Sequence, residues 1–326
     1  MSELRWNPLL GEWVITATHR QDRTFLPPRD FCPLCPAGRS EAPTEFERTR
    51  YEVAVFENRF PSLRREPEEP AVEGSHITPV RPSAGACEVV VYTPQHDATA
   101  ADLNDAQLER LIAVWARRTL ELGARPEVDY VFVFENKGES IGVTLNHPHG
   151  QIYGYPYIPT LIEREVAGAR YHLQARASCL WCDLLRQELA DGRRIVAHNQ
   201  SWVAGVPFFA RWPYELHLLP RRHIGWLHEL DDEQAAGLAR LLKVVLLKYD
   251  RLFGFSLPYI MAIHQRPTDA GQHDGYHLHI EFYPPNRTES KLKYLAGSEA
   301  GAGAYINDTL PEETARQLRE LEPRAD

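Results

Sequence analysis

The chain has no hydrophobic run long enough to cross a bilayer. Its most apolar helical stretch, Leu241 to Leu247, is interrupted by Lys243 and followed by Lys248, far short of the roughly 20 apolar residues a spanning helix needs. Positive charge is also scarce. Against 45 Asp and Glu there are 36 Lys and Arg, a formal charge of −9. That deficit excludes wholesale binding to a nucleic acid backbone, which demands a basic surface. It still allows a small phosphorylated substrate, which needs only a few local arginines. Met1 to Gly11 is polar and carries Glu3 and Arg5, so no secretory leader is expected and the cytoplasm is the expected compartment. Cysteine is sparse, yet four of the five form two Cys-x-x-Cys pairs, Cys32/Cys35 and Cys179/Cys182, while Cys87 stands alone. In a reducing compartment such pairs are more often metal ligands than disulfides. The 43% hydrophobic content of the 326 residues excludes a disordered chain and suits one large domain or two of ordinary size.

The chain repeats itself. Glu88-Val-Val-Val-Tyr-Thr-Pro-Gln-His96 can be laid without a gap on Glu215-Leu-His-Leu-Leu-Pro-Arg-Arg-His223. Each reads as a buried strand, a turn ending in histidine, then a helix start. Asn104 and Asp231 are suitable N-caps, with Gln107 and Gln234 three residues on, where a capping box closes. Leu108, Leu111, Ile112 and Trp115 fall on one face of the first helix, which stops near Gly123. Leu238, Leu241, Leu242 and Val245 do the same in the second, which ends near Gly254. Strand-like runs follow at Tyr130–Phe134 and Tyr259–Ile263, then His147-Pro-His149 and His277-Leu-His279. A Cys-x-x-Cys pair precedes each half. The order predicts two α+β halves, about residues 1–165 and 166–326, joined through the charged segment Glu163 to Arg176. The Pro/Glu-rich stretch Arg64 to Glu73 reads as a surface loop.

Residues i and i+2 of a strand share a face, which would set His147 and His149 side by side, roughly 7 Å apart. Alone, such a pair is an ordinary strand feature. With the upstream cysteines and the repeat, Cys32, Cys35, His96 and His147 make a Cys2His2 set of the kind structural zinc prefers. Zinc on His147 would pin the strand that carries His149. A neutral imidazole with a fixed tautomer is a good nucleophile towards phosphorus. Gly150 would let a phosphate approach the backbone. Gln151 offers an amide N–H to a phosphate oxygen but cannot protonate a leaving group. That suits passing a nucleotide between two phosphates better than hydrolysis.

The run His147-Pro-His-Gly-Gln151, with Phe134-Glu-Asn-Lys-Gly138 upstream, resembles the galactose-1-phosphate uridylyltransferases of the histidine triad superfamily. The resemblance spans nearly the whole chain, from Arg5-Trp-Asn-Pro-Leu9 through Val55-Phe-Glu-Asn-Arg-Phe-Pro61 and Trp212-Pro-Tyr-Glu215 to His279-Ile-Glu-Phe-Tyr-Pro-Pro285. It implies an internally duplicated histidine-triad-like fold, with antiparallel-sheet halves and flanking helices. It also implies a ping-pong reaction. His149 takes the uridylyl group of UDP-glucose, releases glucose 1-phosphate, and passes the group to galactose 1-phosphate to give UDP-galactose. Catalytic roles fall to His149 and Gln151. Arg20, Arg23, Asn136 and Thr144 match phosphate-binding positions, Phe56, Asn58 and Phe60 the uridine pocket, and Lys293 and Tyr294 residues near the sugar. A homodimer is implied as well. An ADP-sugar phosphorylase-like enzyme of the same fold is the alternative; a dinucleoside polyphosphate hydrolase and a non-catalytic protein of two zinc modules are weaker ones.

The second half departs from the family pattern, since His279-Ile-Glu281 has a glutamate where one branch has histidine. The repeat predicts a second zinc on Cys179, Cys182, His223 and His277. The family positions instead suggest a rival, carboxylate-rich site from Glu165, His264, His279 and Glu281, suited to iron or zinc.

Overall fold

The computed structural model describes residues 2–22, 26–41, 43–45 and 49–322. The N-terminal segment supplies strands β1 (Ser2–Asn7), β2 (Glu12–Ala17), β3 (Ala54–Glu57) and β4 (Val80–Pro82). The first repeat follows as β5 (Ala86–Val91), α1 (Asp105–Gly123), β6 (Tyr130–Lys137) and β7 (His149–Tyr155). Next come α2 (Thr160–Arg176), α3 (Leu180–Asp191), β8 (Ile195–His198) and β9 (Trp202–Gly205). The second repeat is β10 (Leu216–Pro220), α4 (Asp232–Leu252), β11 (Tyr259–His264) and β12 (His279–Tyr283), and α5 (Pro311–Glu320) follows.

β2, β1 and β4 form a small sheet. The other nine strands form one sheet in the order β3-β5-β7-β6-β11-β12-β10-β9-β8, with every pair antiparallel. The order from β5 to β10 is palindromic in repeat terms and turns about the β6–β11 junction. The expected α+β class is therefore borne out, with the two repeats fused edge to edge. The charged segment expected as a connector is the helix α2, and the expected boundary at residue 165 falls inside it.

Both long helices begin as their sequences direct. The Asn104 and Asp231 side chains accept from the Gln107 and Gln234 N–H at 2.9 Å, and each glutamine reaches back to its cap. Their apolar faces meet over one side of the sheet. Leu108, Leu111, Ile112 and Trp115 of α1 and Leu238, Leu242 and Val245 of α4 pack with Val90, Val131, Ile152, Ile263 and Ile280. Each such side chain contributes about 1.5–3 kcal/mol by leaving water. The opposite side of the sheet is left to the small sheet, the cysteine loops, α2 and α3.

One local expectation fails. β7 starts at His149, and His147 lies outside it. Pro148 has no N–H to give a ladder, so the two histidines are not strand neighbours two residues apart. β12 likewise starts at His279, leaving His277 in the preceding loop. The Arg64–Glu73 stretch is a loop, as expected.

Candidate active site

Strand register brings the first site together. Gln151 of β7 lies opposite Val89 of β5, and Val89 opposite Phe56 of β3. Side chains from three strands thus converge, and Phe56, Asn58, Phe60, Thr144, His149 and Gln151 line one cleft with Pro33 and Leu34 from between the first cysteines. His149 is the pivot. Its Nδ1–H donates to the carbonyl oxygen of His147 at 2.7 Å. That bond places the proton on Nδ1 and leaves Nε2 with its lone pair. Burial lowers the pKa of the ring, and the bond to His147 offsets only part of that, which favours the neutral imidazole.

Gln151 is oriented from both sides. Its Oε1 accepts from Asn58 Nδ2 at 3.2 Å and from the Tyr153 hydroxyl at 3.3 Å, which leaves the NH2 end to donate. Arg20 Nη1 donates to the Tyr153 hydroxyl at 3.2 Å and to the Phe60 carbonyl at 3.4 Å, so it stands beside the cleft. Tyr153 was not expected. Its position two residues after Gln151, on the same strand face, was the signal. Asn136 lies on β6, two residues beyond the Phe134–Gln151 pair. Arg23 lies outside the described residues. Lys293 and Tyr294 do not join the cleft. Lys293 Nζ is held by Glu299 at 3.0 Å and by the Ile306 carbonyl, and Tyr294 is exposed.

Gly150 is needed on the core side of β7. A Cβ there would stand 2.2 Å from the Tyr92 hydroxyl and 3.0 Å from the Phe134 carbonyl oxygen, so any larger residue would collide with that buried ring and with β6. Glu135, the neighbour of Asn136, is buried in that same core. Burial raises its carboxyl to about 7, against the opposing pull of Lys137, Tyr259 and Tyr92.

Among the described residues three groups could hold a metal ion, each with its ligand atoms within 4.8 Å of one another. In the first, Cys35 Sγ lies 3.5 Å from His96 Nδ1 and 3.6 Å from His147 Nδ1, and Cys32 Sγ lies 3.9 Å from His147 Nδ1. A zinc tetrahedron with ordinary bond lengths has sulfur–nitrogen edges of about 3.5 Å, so the set fits. His147 Nε2–H donates to the Thr93 carbonyl at 2.7 Å, which turns Nδ1 towards the thiols. In the second, Cys179 Sγ and Cys182 Sγ lie 3.6 and 3.4 Å from His277 Nδ1, and Cys182 Sγ lies 3.9 Å from His223 Nδ1. Here His277 and His223 donate Nε2–H to the carbonyls of Pro220 and Asp274 at 3.2 and 3.0 Å. The His147–Thr93 and His277–Pro220 bonds occupy equivalent places in the two repeats.

The third group is Glu165, His264, His279 and Glu281. It coexists with the second, so the two are not rivals for one place. His264 Nδ1 meets the Glu165 carboxylate at 3.0 and 3.1 Å, and His279 Nε2 lies 3.4 Å from Glu281 Oε1. Burial alone would lower His264; the Glu165 and Glu281 carboxylates outweigh it and raise it to about 9. His217 and Arg211 also reach Glu281, each at 3.3 Å. Neither was expected, although His217 sits in the repeated Glu215-Leu-His217 segment.

Together the fold and site define a duplicated α+β protein with a neutral histidine in a polar cleft and two cysteine–histidine clusters. Comparison with known proteins carries this further. Residues 1–159 match the galactose-1-phosphate uridyl transferase N-terminal domain, and residues 166–325 match its C-terminal domain. The chain is 42% identical to the galactose-1-phosphate uridylyltransferase of Thermotoga maritima over 99% of both chains. It is 37% identical to that of Streptomyces lividans, over 98% of this chain and 87% of the relative. A solved uridylyltransferase structure superposes with a TM-score of 0.86 at 36% identity, over 97% of both chains. An Arabidopsis thaliana ADP-glucose phosphorylase shares the fold, with a TM-score of 0.75 at 24% identity over 99% of both chains. The chain belongs to the galactose-1-phosphate uridylyltransferase family. No helix among the described residues is long and apolar enough to cross a membrane.

Proposed function

We propose that this uridylyltransferase works through a covalent intermediate on His149, exchanging a uridylyl group between UDP-glucose and galactose 1-phosphate. The carrying observation is the His149 tautomer, fixed by its 2.7 Å bond to the His147 carbonyl. In the first step Nε2 attacks the α-phosphorus. The new N–P bond forms as the α–β phosphoanhydride bond breaks, and glucose 1-phosphate leaves with the electron pair. In the second, a phosphate oxygen of galactose 1-phosphate attacks the same phosphorus, and the His149 nitrogen recovers its lone pair. Gln151 holds a non-bridging oxygen with its free NH2, with Asn58 and Tyr153 keeping that amide from turning over. Arg20, Arg23, Thr144 and Asn136 serve the phosphates, and Phe56, Asn58 and Phe60 the uridine. Lys293 and Tyr294 serve the sugar, for which the tail would have to meet a cleft it does not line within this chain.

The two Cys2His2 groups are structural zinc sites in this reading, closed by four protein ligands. The first would anchor the loop whose carbonyl fixes the His149 tautomer. The carboxylate-rich group provides two nitrogens and two carboxylates, a set compatible with iron or zinc, and no transfer step passes through it. The protein acts in the cytoplasm as a homodimer. The test is intact-protein mass after mixing with UDP-glucose or ADP-glucose. A uridylyl increment on His149 is expected from the first, and an adenylyl increment alone would reassign the nucleotide.

A further inference from the structure

The wall of the His149 cleft holds an acidic side chain that the transfer reaction leaves without a task. Glu45 lines the cleft from a loop outside the sheet, with its side chain only 20% exposed. Its backbone N–H donates to the Pro33 carbonyl at 2.9 Å, so the stretch enclosed by Cys32 and Cys35 fixes its place. A carboxylate beside a diphosphate repels it unless its charge is offset or its oxygens are used. Arg59 Nη1 lies 3.7 Å from Glu45 Oε1. That distance offsets the charge but is too long for a hydrogen bond. Among the described residues no hydrogen bond reaches this carboxylate, so both of its oxygens are open to a ligand.

The other acceptors of the cleft are already engaged. Gln151 Oε1 takes the Asn58 amide and the Tyr153 hydroxyl, and Asn58 Oδ1 takes the Phe60 N–H at 2.9 Å. The Leu34 carbonyl takes the Tyr51 hydroxyl at 3.0 Å, and the Thr144 carbonyl takes the Leu26 N–H at 2.8 Å. The Thr144 hydroxyl can donate or accept and serves the phosphates in the proposed reaction. Acceptor capacity is therefore concentrated on Glu45, while the Gln151 NH2 is left to donate. A nucleotide meets these needs unevenly. Its phosphates only accept. The N3–H of uracil is flanked by two carbonyl oxygens, which would lie against the carboxylate. The ribose 2′- and 3′-hydroxyls are two neighbouring donors with no acceptor between them, and a carboxylate can take one with each oxygen.

We propose that Glu45 accepts from the ribose 2′- and 3′-hydroxyls of the bound nucleotide and so makes the cleft selective for ribonucleotides over their deoxy analogues. The inference rests on the His149 cleft as the nucleotide site and deepens that reading, since it names the part of the nucleotide that is recognised and the residue that recognises it. Because the diol is common to uridine and adenosine, it holds for either base.

Calorimetry on the intact protein compares UMP with 2′-deoxy-UMP and 3′-deoxy-UMP, and AMP with its two deoxy analogues. Each deoxy analogue should bind at least about tenfold more weakly than its ribonucleotide, the effect of losing a hydrogen bond to a charged group. Glu45→Ala should bring the three compounds of a set within about threefold of one another, with the ribonucleotide losing most. Glu45→Gln keeps one acceptor oxygen and should retain part of the selectivity. Equal affinity for ribo and deoxy compounds in the unmutated protein would overturn the proposal. So would unchanged selectivity in Glu45→Ala, or a loss there that falls equally on all three compounds, as a merely structural role would give. Tighter AMP than UMP, with selectivity lost in Glu45→Ala, would change the base and uphold the ribose contact. Adduct formation on His149 is followed by intact mass on the same preparations. A missing adduct with the selectivity present would count against the covalent reading alone, and an adduct formed without any selectivity would count against the ribose contact alone.

Discussion

The His149 ring donates its Nδ1–H to the carbonyl of His147, itself a candidate zinc ligand, at 2.7 Å. One hydrogen bond therefore ties the geometry of a candidate metal group to the tautomer of the proposed nucleophile. His149→Ala should lower exchange by on the order of a thousandfold, about 4 kcal/mol of barrier, and abolish the acid-labile nucleotidyl adduct seen by intact mass. Burial lowers the His149 pKa below its ordinary 6.5, and only the neutral ring attacks. The rate of adduct formation should hold as pH falls through 6.5 and decline only at more acid values. A rate already halved at or above 6.5 would contradict this placement.

In the proposed mechanism Gln151 holds an oxygen without supplying a proton, which favours transfer over hydrolysis. Replacing it with histidine introduces an ionisable group beside the adduct. Gln151→His should raise UMP release several-fold when no acceptor sugar phosphate is present, measured by chromatography over time. The unmutated enzyme should release UMP slowly; rapid release from it would argue for a hydrolase.

Much of this was legible from spacing. The capping boxes at Asn104 and Asp231, the apolar faces of α1 and α4 and both Cys2His2 groups follow from short-range pattern and from the repeat. What was not legible depends on three-dimensional crowding. Pro148 moves the strand start to His149. The role of Gly150 is set by Tyr92, a residue far from it in sequence. The coexistence of the second and third clusters could not be read because both map to the start of β12. Only the fold shows that His277 turns towards the cysteines while His279 turns towards Glu165 and Glu281. Lys293 and Tyr294 were assigned by resemblance alone, and the cleft is lined without them.

The two cysteine–histidine groups should each retain zinc through purification. Metal analysis is expected to give at least two zinc per chain. Cys182→Ser should remove one of them and spare most of the exchange rate, because His149 belongs to the other half. Cys35→Ser should remove one and also impair exchange, because the loop carrying His147 loses its anchor. Equal effects of the two substitutions on exchange would contradict this division of labour.

Glu135 supplies a test of the core beneath the site. Its carboxyl is 4% exposed, and burial raises it from 4.5 to about 7. The folded chain therefore holds this proton more tightly than the unfolded chain does. Its contribution to stability is full below pH 4.5 and is lost as pH rises through 7, the reverse of a salt-bridged carboxylate. The gap corresponds to about 3 kcal/mol. Glutamine has nearly the same shape and cannot ionise, so Glu135→Gln should remove this slope. Denaturant unfolding at pH 5 and pH 8 should show the unmutated protein losing about 3 kcal/mol more than the variant between the two conditions. The comparison cancels the pH sensitivity of the cysteine–histidine groups, which both proteins share. Equal losses in the two proteins would mean that Glu135 is ionised in the fold and paired, with Lys137 the nearest cation acting on it.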